Sequence, residues 1–436
     1  MRIAMIGTGY VGLVSGASFA DFGHEVTCVD QDATKIAALG RGQIPIFEPG
    51  LAELVARTTG SGRLKFATAI APAVADVEIV FIAVGTPSRR GDGHADLSYV
   101  EAAAREIARA VRRFTVIATK STVPVGTGDN IEKIVRDTAP NAECAVVSNP
   151  EFLREGAAIE DFRKPHRVVI GADDGRARDV MAAAYAPLKL PAASLLFVSR
   201  RTAELVKYAA NAFLATKVGF INEIADLCGV VGADVEEVAR GIGLDPRIGA
   251  KFLQPGPGYG GSCLPKDAVA LRKTAEAAGV NLSIVSAAVD SNAARKRALA
   301  GKVEAAAGGS LKGKRVAVLG LSFKANTDDM RESPALVLVP ALVAAGAAVR
   351  AHDPAAMAAA KSLLPDIDYT ADPYAAAEGA DALVILTEWD AYRELDLARL
   401  RQLMKEPLVV DFRNLFPPHA MAERGFRYVS LGRPAA

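Results

Sequence analysis

The stretch Arg2-Ile3-Ala4-Met5-Ile6-Gly7-Thr8-Gly9-Tyr10-Val11-Gly12 decides the fold. Its first five residues read as a short buried strand, and the rest has the spacing G-x-G-x-x-G ahead of an apolar helical segment. In that reading Gly7 permits the tight turn, Gly9 lets the backbone approach a pyrophosphate, and Gly12 lets helix and strand pack closely, with the helix N-terminus facing the phosphates. A second strand, residues 25–29, ends in Asp30, close to the separation of about 20 residues expected for the acid that takes the ribose diol. A carboxylate there repels a 2′-phosphate, so NAD is expected over NADP, with Lys35 pulling the other way. The competing reading, a plain βα turn, does not account for the whole order of strand, glycines, helix, strand and Asp30.

Outward from this unit, strand-like runs alternate with alanine-rich helical ones: residues 76–84 (DVEIVFIAV), 114–119, 145–148 and 167–170. That alternation is the pattern of a doubly wound parallel sheet. The turns Gly85-Thr86-Pro87, Lys120-Ser121-Thr122-Val123-Pro124 and Asn149-Pro150-Glu151-Phe152-Leu153-Arg154-Glu155 follow strands, where ligands bind in such folds, and are expected to line one cleft. Residues 201–228 then read as one helix with only Gly219 to weaken it, a spine between two α/β domains or a pairing surface for a second copy. Lys207 and Asn211, four apart within YAANAFLA, share one face of it. Residues 305–310 read as a linker, after which Arg315-Val316-Ala317-Val318-Leu319-Gly320 restarts the α/β pattern, with Lys324, Arg331 and Arg413 near strand ends suiting a diphosphate. The expected architecture is therefore α/β: two doubly wound Rossmann-like domains, 1–198 and 311–436, joined by a central helical segment, 199–305.

Composition narrows the function. The chain has 436 residues, half of them hydrophobic, and a formal charge of +1 with Lys and Arg scattered, so neither nucleic acid nor a membrane surface is an expected partner. The four cysteines, Cys28, Cys144, Cys228 and Cys263, are far apart and form no C-x-x-C pair, which argues against a disulfide framework or zinc site and fits a reducing cytoplasm. The apolar N-terminus carries the glycine fingerprint and Asp21, unlike a signal peptide. None of the five histidines is grouped as a metal site or a nucleophile–base pair, and no metal is expected.

The strongest chemical signal is Gly260-Gly261-Ser262-Cys263-Leu264-Pro265-Lys266-Asp267. Only a thiolate attacks carbon, and a nearby cation or set of backbone N–H groups favours it; Lys266 and the Gly-Gly turn could supply these. A buried structural cysteine is the bland alternative. Beside a dinucleotide fold, the thiol implies two successive oxidations: an alcohol becomes an aldehyde, Cys263 adds to it, the thiohemiacetal is oxidised to a thioester, and water releases a carboxylate.

GTGYVG at 7–12, KSTVPVGT at 120–127, NPEFLREG at 149–156, AELVKYAANAFLATK at 203–217, GPGYGGSCLPKD at 256–267 and SFKANTDDMRESPA at 322–335 together resemble the UDP-glucose 6-dehydrogenases of the wider UDP-glucose/GDP-mannose dehydrogenase family, over nearly the whole chain. The resemblance implies Cys263 as nucleophile, with Lys207, Asn211 and Asp267 organising charge and water at the sugar C6 oxygen and Thr122 and Glu155 handling the hydrolytic water. It implies NAD on Gly7, Gly9, Tyr10, Val11, Gly12, Asp30, Lys35, Thr86, Ser121, Thr122, Glu155, Lys266 and Arg331. A UDP-sugar substrate would be held by Glu151, Phe152, Leu153, Lys207, Asn211, Tyr259, Gly260, Phe323, Lys324 and Arg413, and by Arg247 contributed across a homodimer built on the central helix. His166 stands where an Asp is common in the family. GDP-mannose or a UDP-N-acetylhexosamine is the rival substrate; a plain two-electron hydroxyacid dehydrogenase, or a non-catalytic dinucleotide-binding regulator, leaves Cys263 unexplained.

Overall fold

The computed structural model describes residues 1–87, 89 and 95–434, and the chain divides into two compact units. The first comprises Met1–Ala210 with Lys273–Val280, and the second Asn211–Arg272 with Asn281–Ala436. The first holds an eight-stranded sheet of β1 (Arg2–Ile6), β2 (Glu25–Val29), β3 (Leu64–Ala67), β4 (Ile79–Ile82), β5 (Thr115–Thr119), β6 (Cys144–Ser148), β7 (Val168–Gly171) and β8 (Leu195–Val198). Its order is β3-β2-β1-β4-β5-β6-β7-β8, so the chain reverses direction across the sheet between β1 and β4, the crevice that binds ligands in doubly wound folds. The sheet is not parallel throughout: β7 and β8, parallel to each other, join β6 antiparallel through Ser148 and Gly171. Central strands such as β4 and β5 are buried along their whole length, so they read as continuous apolar runs rather than alternating ones. One apolar cluster on this sheet gathers Met5, Leu13, Phe19, Phe81 and Met181, another Ile6, Val80, Ile82, Ile107 and Ile117.

The second unit repeats the design with β9 (Arg315–Leu319), β10 (Ala348–His352), β11 (Asp368–Tyr369), β12 (Ala382–Ile385), β13 (Leu408–Asp411) and β14 (Arg427–Ser430) in the order β11-β10-β9-β12-β13-β14, parallel throughout. Two of the helices are long, the first with residues 200–210 in the first unit and the rest in the second. Arg200–Val231 has 32 residues, about 48 Å at the usual rise, and Ser283–Ala306 has 24. The expected linker at 305–310 starts later than the sequence suggested. Ala305 and Ala306, strong helix formers, continue the helix, and the chain leaves it only at Gly308 and Gly309, both with positive φ. No helix among the described residues is long and apolar enough to cross a membrane.

Candidate active site

In the first unit the glycine fingerprint has the backbone its spacing demands. Gly7 stands at φ 103°, and a Cβ there would lie 2.6 Å from Ala83 O; a Cβ on Gly12 would lie 1.9 Å from Gly7 O, so both are sealed by close packing. A Cβ on Gly9 would meet no protein atom within 4 Å, which leaves the approach that a pyrophosphate requires at the head of helix Tyr10–Asp21. Asp30 is set at the end of β2 by Thr8, whose N and Oγ1 donate to Oδ2 at 3.0 and 2.7 Å, and by Lys35 Nζ at 3.0 Å. Burial works to raise its pKa, but the bonds from Thr8, Asp32 and Lys35 outweigh it and hold the carboxyl down at about 2. Lys35 thus neutralises part of the Asp30 charge. Among the described residues no cluster of His, Cys, Asp and Glu is arranged to hold a metal ion. His24 and His352 are buried, His166 and His419 exposed, and His94 lies outside the described residues.

The three strand-end turns do come together. Thr86 Oγ1 donates to Thr122 O at 2.9 Å, Ser121 Oγ donates to Val84 O at 2.7 Å, and Lys120 Nζ donates to Asn149 Oδ1 at 3.3 Å. Glu151 and Lys207 form a buried ion pair at 3.1 Å, and the same carboxylate accepts the Leu153 N–H, tightening the turn. Phe152 carries the Arg167 guanidinium 3.7 Å from its ring centroid and lies 5.4 Å from Lys207 Nζ. The Tyr10 hydroxyl donates a hydrogen bond to buried Glu48, which also accepts from Gly156 N at 2.6 Å and Ala158 N at 2.7 Å, so the stretch that carries Glu155 is tied back to the fingerprint helix. Desolvation and the Glu48 contact push the Tyr10 phenol far above its ordinary pKa. Val11 packs against the core of this sheet.

In the second unit Cys263 immediately precedes helix Leu264–Ala277, and its carbonyl accepts the Asp267 N–H at 2.9 Å, which puts the thiol at the positive end of the helix. Ser262 Oγ lies 3.4 Å from Sγ. Asn211 Nδ2 donates to Asp267 Oδ2 at 2.6 Å, both buried, while Lys266 Nζ pairs with Asp267 Oδ1 at 2.8 Å. The loop leading to the thiol is held at each step. Asn222 Oδ1 accepts Gly256 N, Arg295 Nε donates to Gly256 O at 2.6 Å, and Asn292 pairs with both backbone groups of Tyr259. Gly261, at φ 82°, would put a Cβ 2.7 Å from the Phe323 ring, and a Cβ on Gly260 would lie 2.5 Å from Glu332 O. Arg413 donates to Leu386 O and Phe323 O and pairs with Glu388. Lys324 Nζ lies 5.6 Å from the Phe323 ring centroid. Arg331 and Arg247, both exposed, each fork onto a neighbouring carboxylate, Asp329 and Asp245.

Glu48, Glu204, Tyr185 and Asn292 went unnoticed in the sequence. Glu48 lies in no motif, and nothing local marks it. Glu204 stands inside AELVKYAAN, three residues before Lys207, so helical spacing was an available signal.

Residues 1–189, 201–294 and 317–418 match the models of the UDP-glucose/GDP-mannose dehydrogenase family for its NAD binding, central and UDP binding domains. The chain is 62% identical to UDP-glucose 6-dehydrogenase of Rhizobium meliloti over 436 residues, covering 100% of both. Among solved structures it resembles a UDP-glucose dehydrogenase from Pyrobaculum islandicum (TM-score 0.92, 40% identity, 99% and 98% of the two chains). It also resembles a UDP-D-ManNAc dehydrogenase from Pyrococcus horikoshii (TM-score 0.86, 26% identity, 99% of each).

Proposed function

The chain belongs to the UDP-glucose/GDP-mannose dehydrogenase family, and from that premise we propose that it oxidises the C6 alcohol of UDP-glucose twice, to UDP-glucuronate. The family uses NAD, and the residues fit it: an open approach at Gly9, the head of a helix, and an ionised Asp30. Bound NAD takes up two electrons and a proton in each oxidation. UDP-glucose ranks above the N-acetylhexosamine and GDP-mannose readings on the higher identity to UDP-glucose dehydrogenases.

The observation that carries the twofold oxidation is Cys263 at the head of its helix, four residues before the Asp267 that holds Asn211. Lys207 and Asn211, one turn apart on helix Arg200–Val231, supply an ammonium and an amide for the developing C6 oxyanion. The Glu151 carboxylate keeps the Lys207 ammonium in place. Cys263 sulfur bonds to C6 of the aldehyde; the thiohemiacetal is oxidised to the thioester; water, activated by Glu155 and Thr122, adds to the carbonyl, the C–S bond breaks, and the thiol is restored. Glu151, Phe152, Leu153, Tyr259, Gly260, Phe323, Lys324, Arg413 and a second subunit's copy of Arg247 hold the sugar nucleotide. Tyr10, Val11, Lys35, Thr86, Ser121, Lys266 and Arg331 complete the cofactor contacts. In this reading segment 1–198 serves the cofactor, 199–305 dimerisation and 311–436 the UDP moiety.

Limiting UDP-glucose with excess NAD should yield two NADH per sugar and no free aldehyde. One NADH per sugar, or undiminished UDP-glucuronate formation by Cys263→Ala, would refute the covalent route. Turnover only of another nucleotide sugar would reassign the substrate.

A further inference from the structure

Glu204 is a buried carboxylate to which the chemistry above gives no part. It sits in the first turns of helix Arg200–Val231, one turn before Lys207, and reaches across to the segment after β5. Its Oε2 accepts Gly126 N at 2.6 Å, and its Oε1 accepts Gly128 N at 2.7 Å and Ser148 Oγ at 2.9 Å. Gly126 and Gly128 straddle the start of helix Thr127–Thr138, the exit of the turn that carries Thr122. The entry of that turn is held by Thr86 Oγ1 on Thr122 O, and its middle by Thr127 Oγ1 on Pro124 O at 2.6 Å. The approach is tight. A Cβ on Gly128 would lie 3.0 Å from both Glu204 Oε1 and Ser148 Oγ. Glu204, Thr122, Ser121, Ser148 and Lys207 also line one small cavity of about 10 Å³.

We propose that Glu204 is a positioning residue for the hydrolytic half of the reaction, holding the Thr122 turn in register with the helix that carries Lys207. The proposal rests on the function assigned above. A carboxylate that receives two backbone N–H groups at the mouth of a helix, and a hydroxyl besides, fixes that turn in translation and in angle. Burial pushes its carboxyl up in pKa while the bonds from Gly128, Gly126 and Ser148 oppose the shift, so the group is held by its donors rather than by water. The step it serves moves no electrons: water adds to the Cys263 thioester carbonyl, the C–S bond breaks, the thiol takes one proton, and the carboxylic acid releases another. That step needs an oxygen nucleophile placed within a fraction of an ångström, where a misplacement of about 1 Å can cost on the order of 10²-fold in rate. Ser121 and Thr122 also touch the cofactor in this reading, but the two oxidations rest as well on Lys207, Asn211 and the cofactor contacts of the fingerprint, so a shift of the Thr122 turn weighs most on hydrolysis.

The test uses the full-length enzyme with NAD and UDP-glucose, reading NADH bursts, steady-state constants and intact-protein mass in parallel for the parent, Glu155→Gln and Glu204→Gln. Glu204→Gln keeps the shape and one acceptor oxygen but presents an NH₂ to a backbone donor. It should keep its NADH burst, lose about 10- to 100-fold in kcat with the KM for UDP-glucose within about twofold, and accumulate an acyl adduct on Cys263. A purely structural Glu204 would lower thermal stability yet leave the folded enzyme with the parent kcat and no adduct, which overturns the proposal. An adduct in Glu155→Gln with none in Glu204→Gln overturns the positioning role alone; no adduct in either, with a single NADH from the parent, overturns the hydrolytic reading and this proposal with it. Gly128→Ala presses on the same carboxylate from the turn side. Should Glu204→Gln fail to fold, a parent-like burst-to-turnover ratio in Gly128→Ala would count against the role, and an accumulating adduct for it.

Discussion

Lys120 shows what burial does to a single charge. It is fully enclosed, with the rings of Phe81, Phe162 and Tyr185 within 6 Å of Nζ, and its direct hydrogen-bond partners, Asn149 Oδ1 and the Tyr185 hydroxyl, are neutral. Desolvation is the main cause of a pKa lowered to about 8, with Glu151 raising it and Lys207 lowering it further. The folded value lies below the unfolded one of about 10.4, so the charged form is the disfavoured one in the native state. The contribution of Lys120 to stability is therefore greatest above about pH 10 and is lost as pH falls through 8. Denaturant unfolding of the parent and Lys120→Met at pH 7 and near pH 10 isolates this group from all others. The parent should gain about 3 kcal/mol relative to Lys120→Met over that range. A constant difference between the two proteins would mean that the rings and Glu151 already compensate the charge. The sequence marked Lys120 only as part of a strand-end turn, because its enclosure is made by Phe81, Phe162 and Tyr185, which no local spacing ties to it.

At the scale of elements, helix Arg200–Val231 was legible almost residue for residue, since a long run without proline and, over residues 201–228, with Gly219 as its one glycine has few other ways to satisfy its backbone. That glycine is a weakness with room to repair. A Cβ on Gly219 would meet Ala288 at 3.9 Å, ordinary contact, and nothing in the helix requires a positive φ there. Gly219→Ala should raise stability by about 0.5–1 kcal/mol with unchanged kcat, as read by thermal unfolding and NADH formation. A drop in Tm would show that helix Ser283–Ala306 packs too closely there to give way. Strands were read correctly where the apolar runs are continuous, as at residues 2–6, 79–82, 115–119 and 315–319, but interior β10, with Ala348 exposed and Arg350 half-buried, was not. The strands at residues 64–67, 195–198, 348–352, 368–369 and 427–430 were missed. All but 348–352 lie at the sheet edges, and all are only partly buried, so their composition does not stand out from loops. The antiparallel join of β6 and β7 was likewise invisible, because an apolar run carries no sign of its direction.

At the scale of the whole molecule, Phe213, Phe220 and Leu227 recur every seven residues on the long helix and are 65%, 51% and 54% exposed, an apolar stripe of the sort that one helix offers another. This supports the proposed homodimer. Phe220→Glu should bring the mass in light scattering down to that of one chain, whereas an unchanged assembly would place the contact elsewhere. The sequence by itself determined the two nucleotide-type α/β units and the cofactor, and it singled out the thiol proposed to react, because each is written in contiguous residues whose spacing matches a backbone geometry: Gly7, Gly9 and Gly12 for a turn, Asp30 at the end of the next strand, Cys263 ahead of a helix. What only the tertiary structure decided is which groups hold those residues still. Glu48 meets Ala158 across 110 positions, Glu204 meets Gly126 across 78, and Asn292 meets Tyr259 across 33. Such pairs form because a buried N–H or carboxylate must find a partner once water is excluded, and which partner it finds depends on how strands and helices pack, not on the residues beside it in the chain.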